Sequence, residues 1–230
     1  MTAGKGWLAA FPLQHAHEAV DALCESWSLL AASYRTGFHP KCREPELTRV
    51  LKAHVERVTS RQRGLLGMWA TESVINTVDF ETAKILDERR TDIFYGWNNN
   101  EISIQLVFEF KKLDRRARSR SNYLGADGLL RFVTGIYSRE QAVAAMVGIL
   151  MDPKDDVVPA LRESFADKAI AEAVRLTARP NGAHLDHPSL LFPGRADFDT
   201  EHDRPSGLAP DHGTIRVAHI FLAFGYGFAP

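Results

Sequence analysis

The chain has 230 residues, of which 45% are hydrophobic and 25% are charged, and its net charge is −1. This composition is that of an ordinary soluble protein with one sizeable domain, and it carries no overall nucleic-acid signature. The cysteines form no disulfide or metal-ligand pattern, the longest apolar stretch is too short for a membrane helix, and the N-terminus lacks a secretory signal, so we expect a cytoplasmic protein.

The first half of the sequence predicts two helices and three β runs. Apolar residues at helical spacing predict helices from His17 to Tyr34 and from Glu44 to Val58. Pro45 suits the first turn of the second helix, so Glu44 stands at its start. The stretch from Gly64 to Phe80 has no clear period and is predicted to be an irregular connection or a short extra element. The β runs lie near Ala83 to Leu86, Thr91 to Trp97 and Ile102 to Lys111.

The second half is predicted to contain two helices, two strands and a long loop. A helix near Asp127 to Tyr137 precedes the stretch Ala142 to Met151, which is apolar on both faces and favours a buried strand. Lys154 to Leu176 has the pattern of an amphipathic helix. Arg179 to Thr214 is rich in Pro, Gly, Asp and His and predicts a long loop. Ile215 to Phe224 reads as a terminal strand.

Polar side chains in the last two β runs are spaced so that they would meet. In the third run the apolar residues alternate, which places Glu109 and Lys111 together on the opposite face. Asp92 lies in the preceding run, and Gly96 to Asn100 supplies turn residues that would fold the two runs against each other. The sequence therefore predicts a small acidic pocket with one cation beside it.

Such a pocket suits a divalent metal. Two carboxylates with a free edge favour Mg²⁺, which keeps several waters and accepts phosphate oxygens as further ligands. The neighbouring Lys111 would orient a metal-bound water and offset charge on a scissile phosphate. We therefore expect metal-assisted hydrolysis of a phosphodiester.

The pattern Asp92…Glu109-Phe110-Lys111 resembles the core motif of the PD-(D/E)xK, or restriction-endonuclease-like, nuclease superfamily. Thr91 stands where a proline often precedes the motif aspartate. The resemblance implies that Asp92 and Glu109 bind Mg²⁺, for which Mn²⁺ would substitute, with the Phe110 carbonyl as a candidate further ligand. It also implies that Lys111 positions the attacking water.

The segment Glu44-Pro-Glu-Leu-Thr resembles the opening of the first core helix in that superfamily, where a glutamate stands beside the metal. By position this residue is Glu44, with Glu46 as the other candidate. The resemblance implies an α/β fold with an αβββαβ core, in which helices flank a mixed central sheet. We expect one domain over residues 1–230. In it, 1–40 form an N-terminal helical addition, 41–152 the core, and 153–230 a C-terminal helix, long loop and terminal strand.

The function implied by the resemblance is metal-dependent hydrolysis of DNA, with RNA as an alternative substrate. Small free-standing members of the superfamily in bacteria often belong to restriction or phage-defence systems, which would add partner proteins, and a homo-oligomer is compatible with this role. Two alternatives stay open. One is a catalytically silent binding or assembly module with this fold, and the other is an unrelated α+β protein whose Glu-x-Lys is incidental.

A basic run follows the predicted pocket. From Lys111 to Arg120, six of ten residues are basic. A basic loop leaving the strand that carries Glu109 would lie where a phosphate backbone must be held. The alternative is a solvated, flexible loop. The candidate DNA-binding residues are Lys112, Arg115, Arg116, Arg118 and Arg120.

The long C-terminal loop offers a rival metal site, because histidine and aspartate bind zinc and other transition metals. Its candidate ligands are His184, Asp186, His187, His202, Asp203, Asp211 and His212. His219, in the predicted terminal strand, is expected to be a hydrogen-bonded histidine at the sheet edge.

Overall fold

The computed structural model describes residues 11–79, 84–98, 103–138, 141–178, 183, 185–205 and 213–226, and over 72–79 and 84–90 it describes the backbone alone. The N-terminal helices are α1 (Leu13–Ala31), α2 (Glu44–His54), which continues through a wide turn at Val55–Thr59, and α3 (Ser60–Arg63). The remaining elements are β1 (Met68–Asp79), β2 (Lys84–Asn98), β3 (Ser103–Leu113), α4 (Ala117–Leu124), α5 (Leu130–Val133), β4 (Val143–Leu150), α6 (Lys154–Ser164), α7 (Lys168–Ala173), β5 (Ala196–Asp203) and β6 (Thr214–Leu222).

The six strands form one mixed sheet in the order β1-β2-β3-β4-β6-β5. The pairs β1–β2, β2–β3 and β5–β6 are antiparallel, whereas β3–β4 and β4–β6 are parallel. Parallel neighbours need a crossover connection, and α4 and α5 supply it between β3 and β4. The prediction of an α/β protein with a mixed central sheet flanked by helices is confirmed.

Hydrophobic side chains pack on both faces of the sheet, as the alternation of side chains along a strand requires. In β3, Leu106, Phe108 and Phe110 join a core that includes residues of α1 and α2. Val107 and Leu113 join a second core that includes residues of α4, α5 and α6. The predicted alternation of β3 is therefore confirmed, and every residue of β4 is buried, as predicted for a central strand.

The strand predictions need two corrections in the first half. Part of the predicted irregular connection is β1, whose Met68 pairs with Gly96 of β2. Two of the predicted β runs are one strand, because the charged residues between them continue the ladder, as in the pairing of Arg90 with Val74. Backbone pairing between strands does not require apolar side chains, so the hydrophobic pattern alone predicted the wrong strand boundaries. Three residues at the predicted boundaries lie outside the described residues, namely Phe80, which ends the predicted connection, and Ala83 and Ile102, which begin two of the predicted β runs.

The second half departs from prediction in its helices and in β5. The helix predicted near Asp127 to Tyr137 is only the short α5, and α4 begins inside the predicted basic loop. The helix predicted over Lys154 to Leu176 is two helices, since Asp167 caps a new one by accepting the Ile170 N–H at 3.1 Å. The long predicted loop contains β5, which pairs with β6 and belongs to the central sheet.

These strands make the C-terminal segment, predicted as an addition to the core, part of the sheet itself. The β6 strand lies between β4 and β5, so His219 is inside the sheet. The prediction that it lies at the sheet edge is wrong. None of the described helices is both long and apolar enough to span a membrane.

Candidate active site

The predicted site lies where β2 and β3 separate. The last described pair between these strands at this end is Ile93 with Phe108, so Asp92 and Glu109 follow immediately on each strand. Beyond that pair the Asp92 side chain accepts a hydrogen bond from the backbone of β3, since its Oδ2 lies 2.9 Å from the Phe110 N–H. The antiparallel register therefore brings Asp92 beside Glu109, as the sequence predicted.

Lys111 lies at the centre of the cluster. Its Nζ donates to Glu109 Oε1 at 2.8 Å, to Glu44 Oε1 at 3.2 Å and to the Phe110 carbonyl at 2.7 Å. Burial by itself lowers the pKa of the ammonium, but the charges of Glu109, Glu44 and Asp92 outweigh burial and the Lys111 pKa is raised. Lys111 is therefore a fixed cation within reach of two acids.

The start of α2 contributes Glu44. Besides its contact with Lys111, its Oε2 accepts the backbone N–H of Lys112 at 2.9 Å. Glu46, the other candidate, instead pairs with Arg43 at 2.8 Å and belongs to the cap of the helix. The structure thus brings Glu44, and not Glu46, into the cluster. Burial, reinforced by the charge of Asp92, raises the Glu44 pKa.

Glu109 is the most buried acid of the cluster, with 0% of its surface exposed. Its Oε1 accepts from both Lys111 and Arg131, at 2.8 and 3.2 Å. Its Oε2 is buried and has no hydrogen-bond partner among the described residues. Burial and the nearby charge of Asp92 raise the pKa of Glu109 to about 7, despite the two cations.

Arg131, at the second position of α5, is a functional candidate that the sequence reasoning missed. One guanidinium nitrogen contacts Glu109 and the Tyr137 hydroxyl, and the other donates to Asp127 at 3.1 Å. Arg204 fixes this region, because it donates to the carbonyls of Phe132, Tyr137 and Ser138. No spacing in the sequence signals these contacts, since they depend on how α5 packs against β3.

The oxygens of the cluster differ in whether they could bind a metal ion. Within the described parts of the chain, no group of three or more His, Cys, Asp or Glu side chains is arranged to hold a metal ion. The Phe110 carbonyl, a predicted ligand, accepts from Lys111. The unpartnered Oε2 of Glu109, with Asp92 beside it, is the oxygen that fits a divalent cation, because a buried carboxylate oxygen requires a partner. Asp92 and Glu109 are therefore the residues that would hold Mg²⁺.

The predicted DNA-binding residues separate into two groups. Lys112 points into the protein, where its Nζ donates to the carbonyls of Pro40, at 2.7 Å, and Cys42. Arg115 pairs with Asp152 at 3.2 Å. Arg115 is nevertheless exposed, as are Arg116, just before α4, and Arg118 within it, whereas Arg120 is half-buried and donates to the Arg115 carbonyl at 2.8 Å.

The rival metal site is not assembled by the residues described. His202 and His219 are buried in the sheet, on either side of Thr200. His202 Nδ1 lies 2.7 Å from the Val174 carbonyl and Tyr123 OH lies 2.9 Å from His219 Nδ1. Both histidines therefore fit as neutral rings in one chain of hydrogen bonds. Burial lowers the pKa of His202 to about 4 and that of His219 well below its usual value.

Other members of the rival site make local contacts. Asp186 pairs through its backbone with Asp199, and His187 Nδ1 lies 2.9 Å from the Asp197 carbonyl. Asp203 accepts from Thr177 through its side chain at 3.3 Å. His184, Asp211 and His212 lie outside the described residues.

The candidate active site is thus three acids from two strands and a helix, arranged around one lysine and one arginine. Comparisons of this chain with protein-family models, with curated proteins and with solved structures found no match.

Proposed function

We propose that the protein is a metal-dependent nuclease of the PD-(D/E)xK superfamily that hydrolyses phosphodiester bonds in DNA. The observation that carries the proposal is the buried Glu109 oxygen without a hydrogen-bond partner among the described residues, next to Asp92 and Lys111. A purely structural ion pair would satisfy both carboxylate oxygens. An oxygen left open beside a second acid is what a metal site requires.

The topology supports the same proposal. The αβββαβ order expected for the superfamily corresponds to α2, β1 to β3, α4 and β4, with β4 parallel to β3. The acids come from the expected elements, with Asp92 on β2, Glu109 on β3 and Glu44 at the start of the preceding helix.

Each side chain has a role in such a reaction. A bound Mg²⁺ would supply Lewis-acid chemistry and a nucleophilic water at neutral pH. Asp92 and Glu109 would bind that ion, and the Lys111 ammonium would orient the attacking water and offset charge that develops on the phosphate. Glu44 holds Lys111 in place at 3.2 Å and completes the acidic cluster.

The decisive experiment is cleavage of DNA by the purified protein with Mn²⁺, Mg²⁺ or EDTA. Supercoiled, linear duplex and single-stranded DNA, together with a single-stranded RNA, are the substrates. The structure offers a matched pair of variants on one helix, Glu44→Gln inside the cluster and Glu46→Gln outside it. We expect metal-dependent cleavage by the parent, retained cleavage by Glu46→Gln, and a loss on the order of 10²-fold for Glu44→Gln.

Equal loss in both glutamate variants would show that the helix, and not the cluster, matters. Absence of cleavage together with absence of Mn²⁺ binding would overturn the proposal and favour a structural charge cluster. The dense contacts of Lys111 are compatible with a catalytically silent binding module, which would bind nucleic acid without cutting it. A preparation that binds DNA and Mn²⁺ but never cleaves would establish that alternative.

A further inference from the structure

Two aromatic rings on the loop that leads to Glu44 lie beside a third ring from the segment after β6. Tyr34 is 65% exposed and stacks on His39, with ring centroids 5.1 Å apart and planes inclined by 22°. Tyr226 approaches Tyr34 edge-on, with centroids 6.3 Å apart. We call Tyr34, His39 and Tyr226 the aromatic platform.

The aromatic platform packs on buried aromatic side chains. Tyr226 contacts Phe224, and Phe224 contacts the buried rings of Trp27 and Phe38. His39 is fixed by its own loop, because the Lys41 N–H donates to its Nδ1 at 3.2 Å. The exposed ring of Tyr34 therefore rests on a supported ring and presents a flat surface in a set orientation.

The same segment is connected to the catalytic cluster. Lys112, which follows Lys111 in β3, binds the carbonyls of Pro40 and Cys42 through its side chain and Glu44 through its backbone N–H. The loop carrying the platform is thus anchored to the strand that carries the candidate catalytic lysine. Because Pro40 and Cys42 follow His39 closely along the chain, a ligand on the platform would lie near the site.

The charge of this segment indicates what kind of ligand fits. From residue 27 to residue 43 the chain contains Arg35, Lys41 and Arg43 and no acidic residue. Arg43 pairs with Glu46 and Arg35 donates to the Leu29 carbonyl at 3.3 Å, while Arg35, next to Tyr34, and Lys41, two residues after His39, are both exposed. Flat aromatic faces next to cations are the features that bind single-stranded nucleic acids, in which bases stack on rings and phosphates face basic side chains.

We propose that the aromatic platform binds an unpaired base of the nucleic acid, so that the substrate is held with a single-stranded segment beside the cleavage site. A paired base inside a duplex shows only its edges in the grooves, whereas an unpaired base offers its face. The inference rests on the proposed function for the identity of the ligand. It adds that strand ends, flaps and single strands bind more tightly than uninterrupted duplex.

The test is binding measured without cleavage, by fluorescence anisotropy in EDTA. The probes are a labelled single-stranded DNA, the equivalent RNA, a blunt duplex, and a single strand with abasic sites, which keeps the phosphates but removes the bases. The variants are Tyr34→Ala, which removes the ring, and Tyr34→Phe, which keeps it. Because Tyr34 is exposed, unfolding temperatures of the variants should match the parent and serve as the control.

Stacking on an aromatic side chain contributes about 1–3 kcal/mol per base, so Tyr34→Ala should weaken binding of the single strand by about 5- to 150-fold. Tyr34→Phe should stay within about twofold of the parent, and the abasic strand should bind the parent and Tyr34→Ala equally. Equal binding of the intact strand by the parent and Tyr34→Ala would overturn the inference, as would an equal loss on the abasic strand. Intact binding at the platform in a protein that never cleaves would overturn the proposed function alone, and cleavage without an effect of Tyr34→Ala would overturn this inference alone.

Discussion

Replacing Glu109 with glutamine should change how the stability of the metal-free protein depends on pH. Burial raises the pKa of Glu109 from 4.5 to about 7. Between these values the folded protein holds a proton that the unfolded chain has released, so the free energy of unfolding falls as pH rises. A shift of that size corresponds to about 3 kcal/mol, because each pKa unit is worth about 1.4 kcal/mol.

Glu109→Gln keeps the shape of the side chain and removes the ionisable group. Lys111 keeps its contacts with Glu44 and the Phe110 carbonyl, and Arg131 keeps Tyr137 and Asp127, so neither cation loses every partner. The variant should therefore lack this pH-dependent loss and become more stable than the parent at pH 8 by up to about 3 kcal/mol, relative to their difference at pH 4.5.

Urea unfolding in EDTA at half-unit steps from pH 4.5 to 8 measures this difference directly. The matched control is Glu46→Gln, because hydrogen bonds from Arg43 lower the Glu46 pKa and its titration therefore affects stability mostly below this pH range, so its pH dependence should follow the parent. Adding Mn²⁺ at pH 8 should stabilise the parent and not Glu109→Gln, since a ligand that binds only the folded state raises stability. Unfolding curves of the parent and Glu109→Gln that stay parallel across this pH range would refute the reasoning.

Three other outcomes are expected. Asp92→Asn can still accept the Phe110 N–H, so it should fold normally while its cleavage rate, measured with Mn²⁺, falls on the order of 10²-fold. Neutralising Arg116 and Arg118 together should lower the slope of log binding constant against log salt by about two, whereas an unchanged slope would mark a merely solvated surface. In the Glu109→Gln variant, the free energy of unfolding should fall as the pH drops from about 6.5 towards 4. The reason is that His202 and His219 bind protons in the unfolded chain but stay neutral when buried. Each histidine should contribute at most about 1.4 kcal/mol per pH unit. Urea titrations at each pH would reveal it, and a flat profile would contradict the neutral hydrogen-bonded chain.

The sequence predicted the acids of the site well because they lie on the most regular part of the fold. In β3 the polar Glu109 and Lys111 alternate with the buried Phe108 and Phe110, so the two faces of the strand can be distinguished from its own sequence. Glu44 was identified from the resemblance of its segment to the first core helix of the superfamily, and Pro45 places it at the start of that helix. The local sequence was sufficient wherever one element fixed the position of a side chain.

The remainder depended on contacts between distant segments. The pairing that defines β1 and β5 and the burial of His202 arise when strands assemble, and their own sequences have weak or mixed periods. Arg131 reaches Glu109 only because α5 packs over β3, and Arg204, just after the end of β5, holds that helix from far along the chain. These contacts are not encoded in any short spacing, which is why the second cation of the site was missed.

The hydrogen bonds of Glu109 support the proposed metal site over a purely structural charge cluster. Two cations converge on Oε1 while Oε2 is left buried without a partner in the described structure, and an unsatisfied buried acceptor costs about 1–3 kcal/mol. If the cluster only stabilised the fold, turning Arg131 towards Oε2 would relieve that cost. Arg131 is instead held on the Oε1 side by Tyr137 and Asp127, and through α5 by Arg204. These contacts leave Oε2 open next to Asp92, which supports the proposal that this oxygen receives a ligand.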